Sequence, residues 1–492
     1  MEVGIEYYIF AGSVLLFIGI LMSKTSYRTG MPILLVFMFV GMFFGCEGVG
    51  IEFHEVNHAQ TLGIFALNII LFSGGMETKF KDIRPVLQQG ILLSTAGVLL
   101  TTLFTGLFIF WISDNSPLGL EMSLVTSLLL AATMSSTDSA SVFNVLRTQK
   151  IGLKYNLRSL LELESGSNDP MAYMLTVTLI QLLTADSTGI TDTLTLFVLQ
   201  FVIGGLGGFL LGKLSVWILG RIKLENPSLY PILLLSIVFI IYTVTNVCQG
   251  NGYLAVYIAG ILVGNASIPN RKETRTFMDG ITWLFQIMMF IVLGLLVKPH
   301  EMLDMFLVAL LISGFMILIA RPLSVFLCLS PFRRMNIRSK LFISWVGLRG
   351  AAPIIFATYP VVADIPGSGQ LFNIVFFVTI LSLMTQGVTI PRVARWLRLD
   401  QPLIQEEKNF GVEIPAEINT ELGEFLLTAD MLKEHNRLKD MKLPQGALVI
   451  LVKREDEYLI PNGQMELLIN DRVLILHKKD LSLIHISEPT RL

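Results

Sequence analysis

Residues 161–175 read LELESGSNDPMAYML, an apolar run that nonetheless carries Glu162, Glu164 and Asp169 with no lysine or arginine of its own. A carboxylate at the centre of a bilayer costs about 2.5–3.5 kcal/mol on insertion scales. What offsets that cost decides the fold. On an α-helix Ser165 and Asp169 fall about 40° apart, on one face, whereas Glu164 lies about 140° from Asp169. Those two acids would reach a common ion only across a locally irregular helix. Pro170 supplies a cause, because its missing N–H leaves the carbonyl of Gly166 without its usual partner. A carboxyl withdrawn from water also holds its proton more tightly. Such a group can hold a proton or a hard monovalent cation, but not both well, and that competition is sufficient for exchange. The plainer reading is a structural buried acid. It is weakened because nothing in the run neutralises the charge. Arg321, in LIARPLSVF (318–326), is the best-placed counter-charge elsewhere. Glu162 lies nearer one end and either joins the site or only lines an entry funnel.

The run is one of many. Of 492 residues 53% are hydrophobic and 15% charged, where a soluble chain carries roughly 25% charge. Apolar stretches long enough to span a bilayer fall near 5–23, 31–49, 61–76, 87–112, 122–146, 159–184, 193–219, 229–247, 252–266, 281–297, 303–329, 339–361 and 370–391. Alternate connections hold 22 lysines and arginines, from Lys24 and Arg28 to Arg392, Arg395 and Arg398, against Lys298 alone in the other set. The positive-inside rule then puts the N-terminus outside and the C-terminus in the cytoplasm. The opening MEVGIEYY is acidic, which argues against a cleaved signal peptide. Cys46, Cys248 and Cys328 show no pairing or metal spacing and read as small core residues.

Two stretches echo each other at an offset of about 210–220 residues. GMPILLVFMFVGMFFG (30–45) returns as GYLAVYIAGILVGN (252–265), and ALNIILFSGGM (66–76) as LFQIMMFIVLGLLV (284–297). The echo maps segments 1–6 onto 8–13. An odd shift reverses orientation, so these are inverted repeats, a common build of secondary transporters. Segment 5 contains AATMSSTDSASV (131–142), and its mate, segment 12, contains WVGLRGAAPII (345–355). Small, hydroxyl, Gly and Pro residues at matching places predict paired broken helices. Each break exposes a positive helix start and a negative helix end within the bilayer. Asp138 in one break and Arg349 in the other are expected to neutralise them.

SSTDSASV, ESGSNDPMA, LIARPLSV and GLRGAAPI, in this order, resemble the monovalent cation/proton antiporters of the first cation/proton antiporter family. The resemblance covers residues 1–400. It implies an all-α polytopic fold of 13 helices with crossed discontinuous helices, and a homodimer in which a six-helix core moves against a dimerisation domain. It also implies that Asp169 alternates between cation and proton, with Glu164, Ser165 and Thr137 helping to coordinate and Arg321 balancing the site. Asn168 fills the place of a second Asp in electrogenic relatives, which implies electroneutral exchange. Ser73, in LFSGGMET (71–78), stands where many relatives carry an acid, so any gating role of that acid is in doubt here.

From about Asp400 the composition turns charged. After a linker (401–414), the runs ALVILVKR (447–454), EYLIPNG (457–463) and DRVLILHK (471–478) predict a small α+β module over 415–480. It resembles the C-terminal ligand-binding subdomain of regulators of potassium conductance. That pairing implies the potassium/proton branch, a small cytoplasmic ligand and K+ ahead of Na+; a dimerisation module without ligand is the alternative. LSLIHISEPTR (481–491) reads as a translated sequencing adapter, which predicts poor packing after Asp480. Two other classes fit the sequence less well. An aspartyl intramembrane protease built on Asp138 and Asp169 lacks the Gly-x-Gly-Asp motif. A regulated cation channel lacks a Thr-Val-Gly-Tyr-Gly filter run. The expectation is therefore a K+ (or Na+)/H+ antiporter of the bacterial inner membrane, neither an enzyme nor dependent on a cofactor.

Overall fold

The computed structural model describes residues 5–29, 32–51, 55–115, 121–184, 190–402, 420–427, 432, 437–440, 447–455 and 457–478. The chain divides into two compact units, Met1–Leu403 and Ile404–Leu492.

Thirteen helical segments make up the described part of the first unit. Segments 1 to 4 are Ile5–Thr29, Ile33–Phe44, Val56–Glu77 and Phe80–Asp114. Segment 5 is split into Leu124–Thr133 and Ser139–Thr148. Segments 6 to 10 are Leu157–Thr184, Ile190–Arg221, Leu229–Val247, Gly252–Gly264 and Arg271–Leu295. Segment 11 is Phe306–Leu329, segment 12 is split into Ile337–Trp345 and Ala351–Val362, and segment 13 is Ser368–Trp396. Seven of these are long and apolar enough to cross a membrane by themselves. Of the others, segment 1 is apolar over Ile9–Lys24, segments 2 and 9 are short, segments 5 and 12 are broken at mid-length, and segment 6 carries charge. Segments 2, 5, 9 and 12 are largely buried among their neighbours, whereas Phe10, Phe17 and Ile20 of segment 1 are exposed.

The stretches that echo in sequence also lie on helices that pack backbone to backbone. Segment 2 lies on segment 10, where a Cβ at Gly294 would stand 2.4 Å from the Met38 carbonyl oxygen. Segment 3 lies on segment 9, where a Cβ at Gly260 would stand 2.5 Å from that of Phe72. Under the mapping of 2 onto 9 and 3 onto 10, each pair is the image of the other. Small residues that bring two backbones together are how helices associate without a hydrophobic driving force.

Two features at the edge of this unit lack a sequence signal. Strand β1 (Ile151–Leu153) pairs antiparallel with β2 (Asp400–Pro402), so the chain leaving segment 13 is clasped to the connection between segments 5 and 6. The Lys154 amide extends the clasp by donating to the Leu399 carbonyl at 3.0 Å.

In the second unit four strands form an antiparallel sheet in the order β3-β6-β4-β5. They are β3 (Thr420–Leu426), β4 (Leu448–Arg454), β5 (Glu457–Leu459) and β6 (Arg472–Lys478). The last three match the strand-like runs, trimmed by one to four residues. Strand β3 was not expected. It is recruited by full-length pairing with β6. Val449, Val452, Leu467, Val473 and Ile475 form the small core. The proposed adapter tail, 481–492, and most of the linker fall outside the described residues.

Candidate functional site

Segments 5 and 12 break where they cross. The Asp138 amide donates to the Leu348 carbonyl at 2.7 Å, which joins the two extended stretches backbone to backbone. A Cβ on Gly350 would come 2.6 Å from Asp138 Oδ2, so only glycine admits the approach. Asp138 caps the second half of segment 5: its carboxylate accepts from the amides of Ala140 (2.9 Å) and Ser141 (3.2 Å) and from the Ser141 hydroxyl (2.5 Å). An acid at a helix start offsets both the free N–H groups and the positive dipole end. Arg349 reaches the other way and donates from Nη1 to the Ser136 carbonyl at 2.6 Å, near the end of the first half-helix. Its own amide is held by Ser382 Oγ at 3.0 Å, and that hydroxyl by Gln386, which also binds the Trp345 carbonyl. The break in segment 5 is thus neutralised by side chains from within the crossing, whereas that in segment 12 is held by Ser382 and Gln386 of segment 13.

Segment 6 passes beside the crossing as one unbroken helix through Pro170. The local irregularity expected there is absent; after the proline, Asn251 Nδ2 of the neighbouring segment 9 connection donates to the Pro170 carbonyl at 2.7 Å. The helix therefore keeps its faces separate. Asp169 points toward the crossing, and Oδ1 accepts a hydrogen bond from the Ser136 hydroxyl. Ser165, on the same face, donates to the Thr137 carbonyl at 2.7 Å and accepts the Ser139 amide at 2.9 Å. Asn168 donates to Thr137 Oγ1 at 2.5 Å. Glu164, expected beside Asp169, turns instead to Arg321 of segment 11, and the two form a buried ion pair. Arg321 thus balances Glu164 rather than Asp169. Glu162 pairs with Arg158 at 2.8 Å along its own helix.

A cavity of about 330 Å³ leads to this constellation from one side. Ser73, Ser136, Asp138, Ser165, Asp169 and Tyr257 line it, and Glu77, Arg147, Arg158, Glu162 and Asp279 stand along its charged part. Glu164, Asn168 and Thr137 are not among its lining residues. Ser73 is, so the position where many relatives carry an acid borders the cavity in this chain. One turn beyond Asp169 the opposite side is shut. The Tyr173 ring meets Tyr253 and Tyr359 edge-on, with centroids 4.8 and 5.5 Å away, and the hydroxyls of Tyr253 and Tyr359 lie 3.3 Å apart. Ser136 was not singled out from sequence, although it lies within the quoted SSTDSASV run.

A polar site midway along inverted repeats, at crossed broken helices, open to one side and closed to the other, defines a secondary active transporter working by alternating access. The chain belongs to the sodium/hydrogen exchanger family: residues 13–396 match "Sodium/hydrogen exchanger, transmembrane". It is a cation/proton antiporter, and the channel alternative is set aside with that assignment. Among its relatives, the K(+)/H(+) antiporter NhaP of Alkalimonas amylolytica is 40% identical across 94% of this chain and 80% of that protein. The K(+)/H(+) antiporter NhaP2 of Shewanella oneidensis is 38% identical across the same shares. The fold is similar to that of the sodium proton antiporter MjNhaP1 from Methanocaldococcus jannaschii at pH 8, with a TM-score of 0.69 and 22% identity, covering 79% of this chain and 98% of that one.

Proposed function

We propose that the chain exchanges K+ for H+ one for one across the bacterial inner membrane, with Asp169 as the group that carries either ion. The observation that carries this reading is the position of Asp169. It is half-buried at the inner end of a one-sided cavity, and its only side-chain hydrogen-bond partner among the described residues is Ser136. The acid next along the helix, Glu164, is already matched by Arg321. A carboxyl left without a cationic partner in a low-dielectric site is satisfied either by protonation or by an incoming cation. Asp169 releases its proton and takes a cation from the open side. The elements that form the crossing then move to expose it on the other. One charge moves each way, so the cycle is electroneutral, in keeping with a neutral Asn168 beside it. Ser165 supplies an oxygen to the wall of the site, Thr137 and Asn168 back it, and Asp138 and Arg349 hold the crossing in shape.

The K(+)/H(+) exchange for which the NhaP and NhaP2 relatives are named supports K+ as the cation. Na+ is the second reading, supported by the more distant Na(+)/H(+) antiporter NhaH of Halobacillus aidingensis at 25% identity. The loop charges support an external N-terminus and a cytoplasmic C-terminus, so the cavity opens to the cytoplasm. The largely unburied apolar face of segment 7 suits lipid or a second copy, as a homodimer requires. The sheet of the second unit supports a regulatory module of the potassium-conductance-regulator type that binds a small cytoplasmic ligand. The deciding experiment is proton release from proteoliposomes on addition of Li+, Na+, K+ or Rb+ at several pH values. Asp169→Asn is expected to insert normally and show no cation-dependent signal. Retained exchange refutes the assignment.

A further inference from the structure

We infer that the Ser136 hydroxyl positions the Asp169 carboxylate and serves both of its occupancy states, which makes Ser136 a further determinant of cation affinity and pH dependence. The inference rests on the reading of Asp169 above.

Four oxygen-bearing side chains from this part of the crossing and segment 6 lie near the acid, and three make their hydrogen bonds to groups other than its carboxylate. The Thr137 hydroxyl accepts from Asn168, its carbonyl accepts from Ser165, and Ser165 also receives the Ser139 amide. Asn168 donates to Thr137, and its Oδ1 has no hydrogen-bond partner among the described residues. Ser136 alone directs a side-chain oxygen at the Asp169 carboxylate. It does so from the extended stretch between the half-helices of segment 5, where the Arg349 guanidinium grips its carbonyl at 2.6 Å. That grip fixes the peptide while the side chain stays free to turn about Cα–Cβ. Ser136 is 1% exposed yet lines the cavity, so it lies at the buried end of the path an ion takes.

A hydroxyl has one proton to donate and two lone pairs to offer. With the site empty and Asp169 ionised, Ser136 donates to the carboxylate. When a cation binds Asp169, the same oxygen can rotate to present a lone pair to it. With Asp169 protonated, the hydroxyl can accept. No neighbouring backbone N–H or guanidinium can fill all three roles, because each of those is a donor only. A methyl group in its place fills none. The protonated acid loses least from that change, since a neutral group needs the hydrogen bond less than an anion does. Truncation therefore favours the proton over the cation.

The test is transport in proteoliposomes with Ser136→Ala, Ser136→Thr and Asp169→Asn in parallel, scored for apparent KM for K+, kcat and pH profile. A hydrogen bond to a charged group is worth about tenfold or more in an equilibrium. For Ser136→Ala the expected result is a KM raised about tenfold, a smaller fall in kcat, and a pH profile moved about one unit toward alkaline pH. Ser136→Thr keeps the hydroxyl and is expected to restore the parent profile. An unmoved pH profile in Ser136→Ala overturns the inference, as does a fall confined to kcat, which would mark a merely structural residue. Should the alanine variant not insert, Ser136→Cys, a weaker donor, is read in the same assay and must show an alkaline shift for the inference to stand. Retained exchange in Asp169→Asn overturns the reading of Asp169 and this inference together. Loss of exchange there, with an unmoved Ser136→Ala profile, overturns only the role of Ser136.

Discussion

Replacing Arg321 by methionine removes one partner of an ion pair whose members are 3% and 1% exposed. Methionine retains most of the side-chain volume, so the change isolates the charge. The stranded carboxylate has little to fall back on: Glu164 Oε2 already lacks a hydrogen-bond partner among the described residues, and Oε1 has only Arg321. Removing one partner of a buried pair costs about 3–5 kcal/mol, while replacing both by apolar or neutral groups is often close to neutral. The absence of any other donor to Glu164 places Arg321→Met toward the upper end, about 4 kcal/mol. For a unit this large, that corresponds to a fall of about 5 °C or more in apparent Tm. The measurement is the fraction of detergent-solubilised protein that remains monodisperse after heating, for the parent, Arg321→Met, Glu164→Gln and the double variant. The double variant is expected to recover most of the loss, since neither charge is then stranded. Equal losses in Arg321→Met and the double variant would refute the pairing, as would an unchanged Tm in Arg321→Met.

Two further outcomes follow from contacts outside that pair. Gly350→Ala forces a Cβ to within 2.6 Å of Asp138 Oδ2 and is expected to abolish folded, monodisperse protein, whereas Gly74→Ala, with open space around its Cβ, is expected to behave as the parent. Parent-like yield and transport in Gly350→Ala would show that the crossing is looser than described. In the second unit, burial works to raise the Asp471 carboxyl. Two Arg454 hydrogen bonds of 2.9 and 2.8 Å and the Leu468 amide outweigh it and hold the group below its ordinary value. A depressed carboxyl contributes stability above its unfolded pKa of about 4 and loses it as pH falls through the lower folded value. Cleavage of the tail in the full chain by an acid-active protease is therefore expected to set in only below about pH 4, and at higher pH in Arg454→Ala. Coincident profiles would show that the pair does not hold the module together.

The thirteen segments, the two breaks and the acid in segment 6 were all legible in the chain, and for one reason. Lipid offers no hydrogen bonds, so a crossing element must be apolar, of set length and internally satisfied, and every exception must be announced by unusual residues. Asp138, Arg349, Gly350 and Asp169 are such announcements. Partners were another matter. That Glu164 would turn to Arg321 across 157 positions depended on segment 6 staying helical through Pro170, which nothing in the run itself records. Between Ser136 and Thr137 no helical phase says which hydroxyl faces the acid, because both lie in an extended stretch whose direction is imposed by the helix that crosses it. The same holds for β3 and for the β1–β2 clasp: strands of three to seven residues carry little periodicity of their own, and their pairing is contact at a distance along the chain. Sequence by itself therefore determined which groups had to be buried together with charge. Tertiary structure decided which of them meet, since a local pattern records the solvent a residue faces and not the neighbour that replaces it.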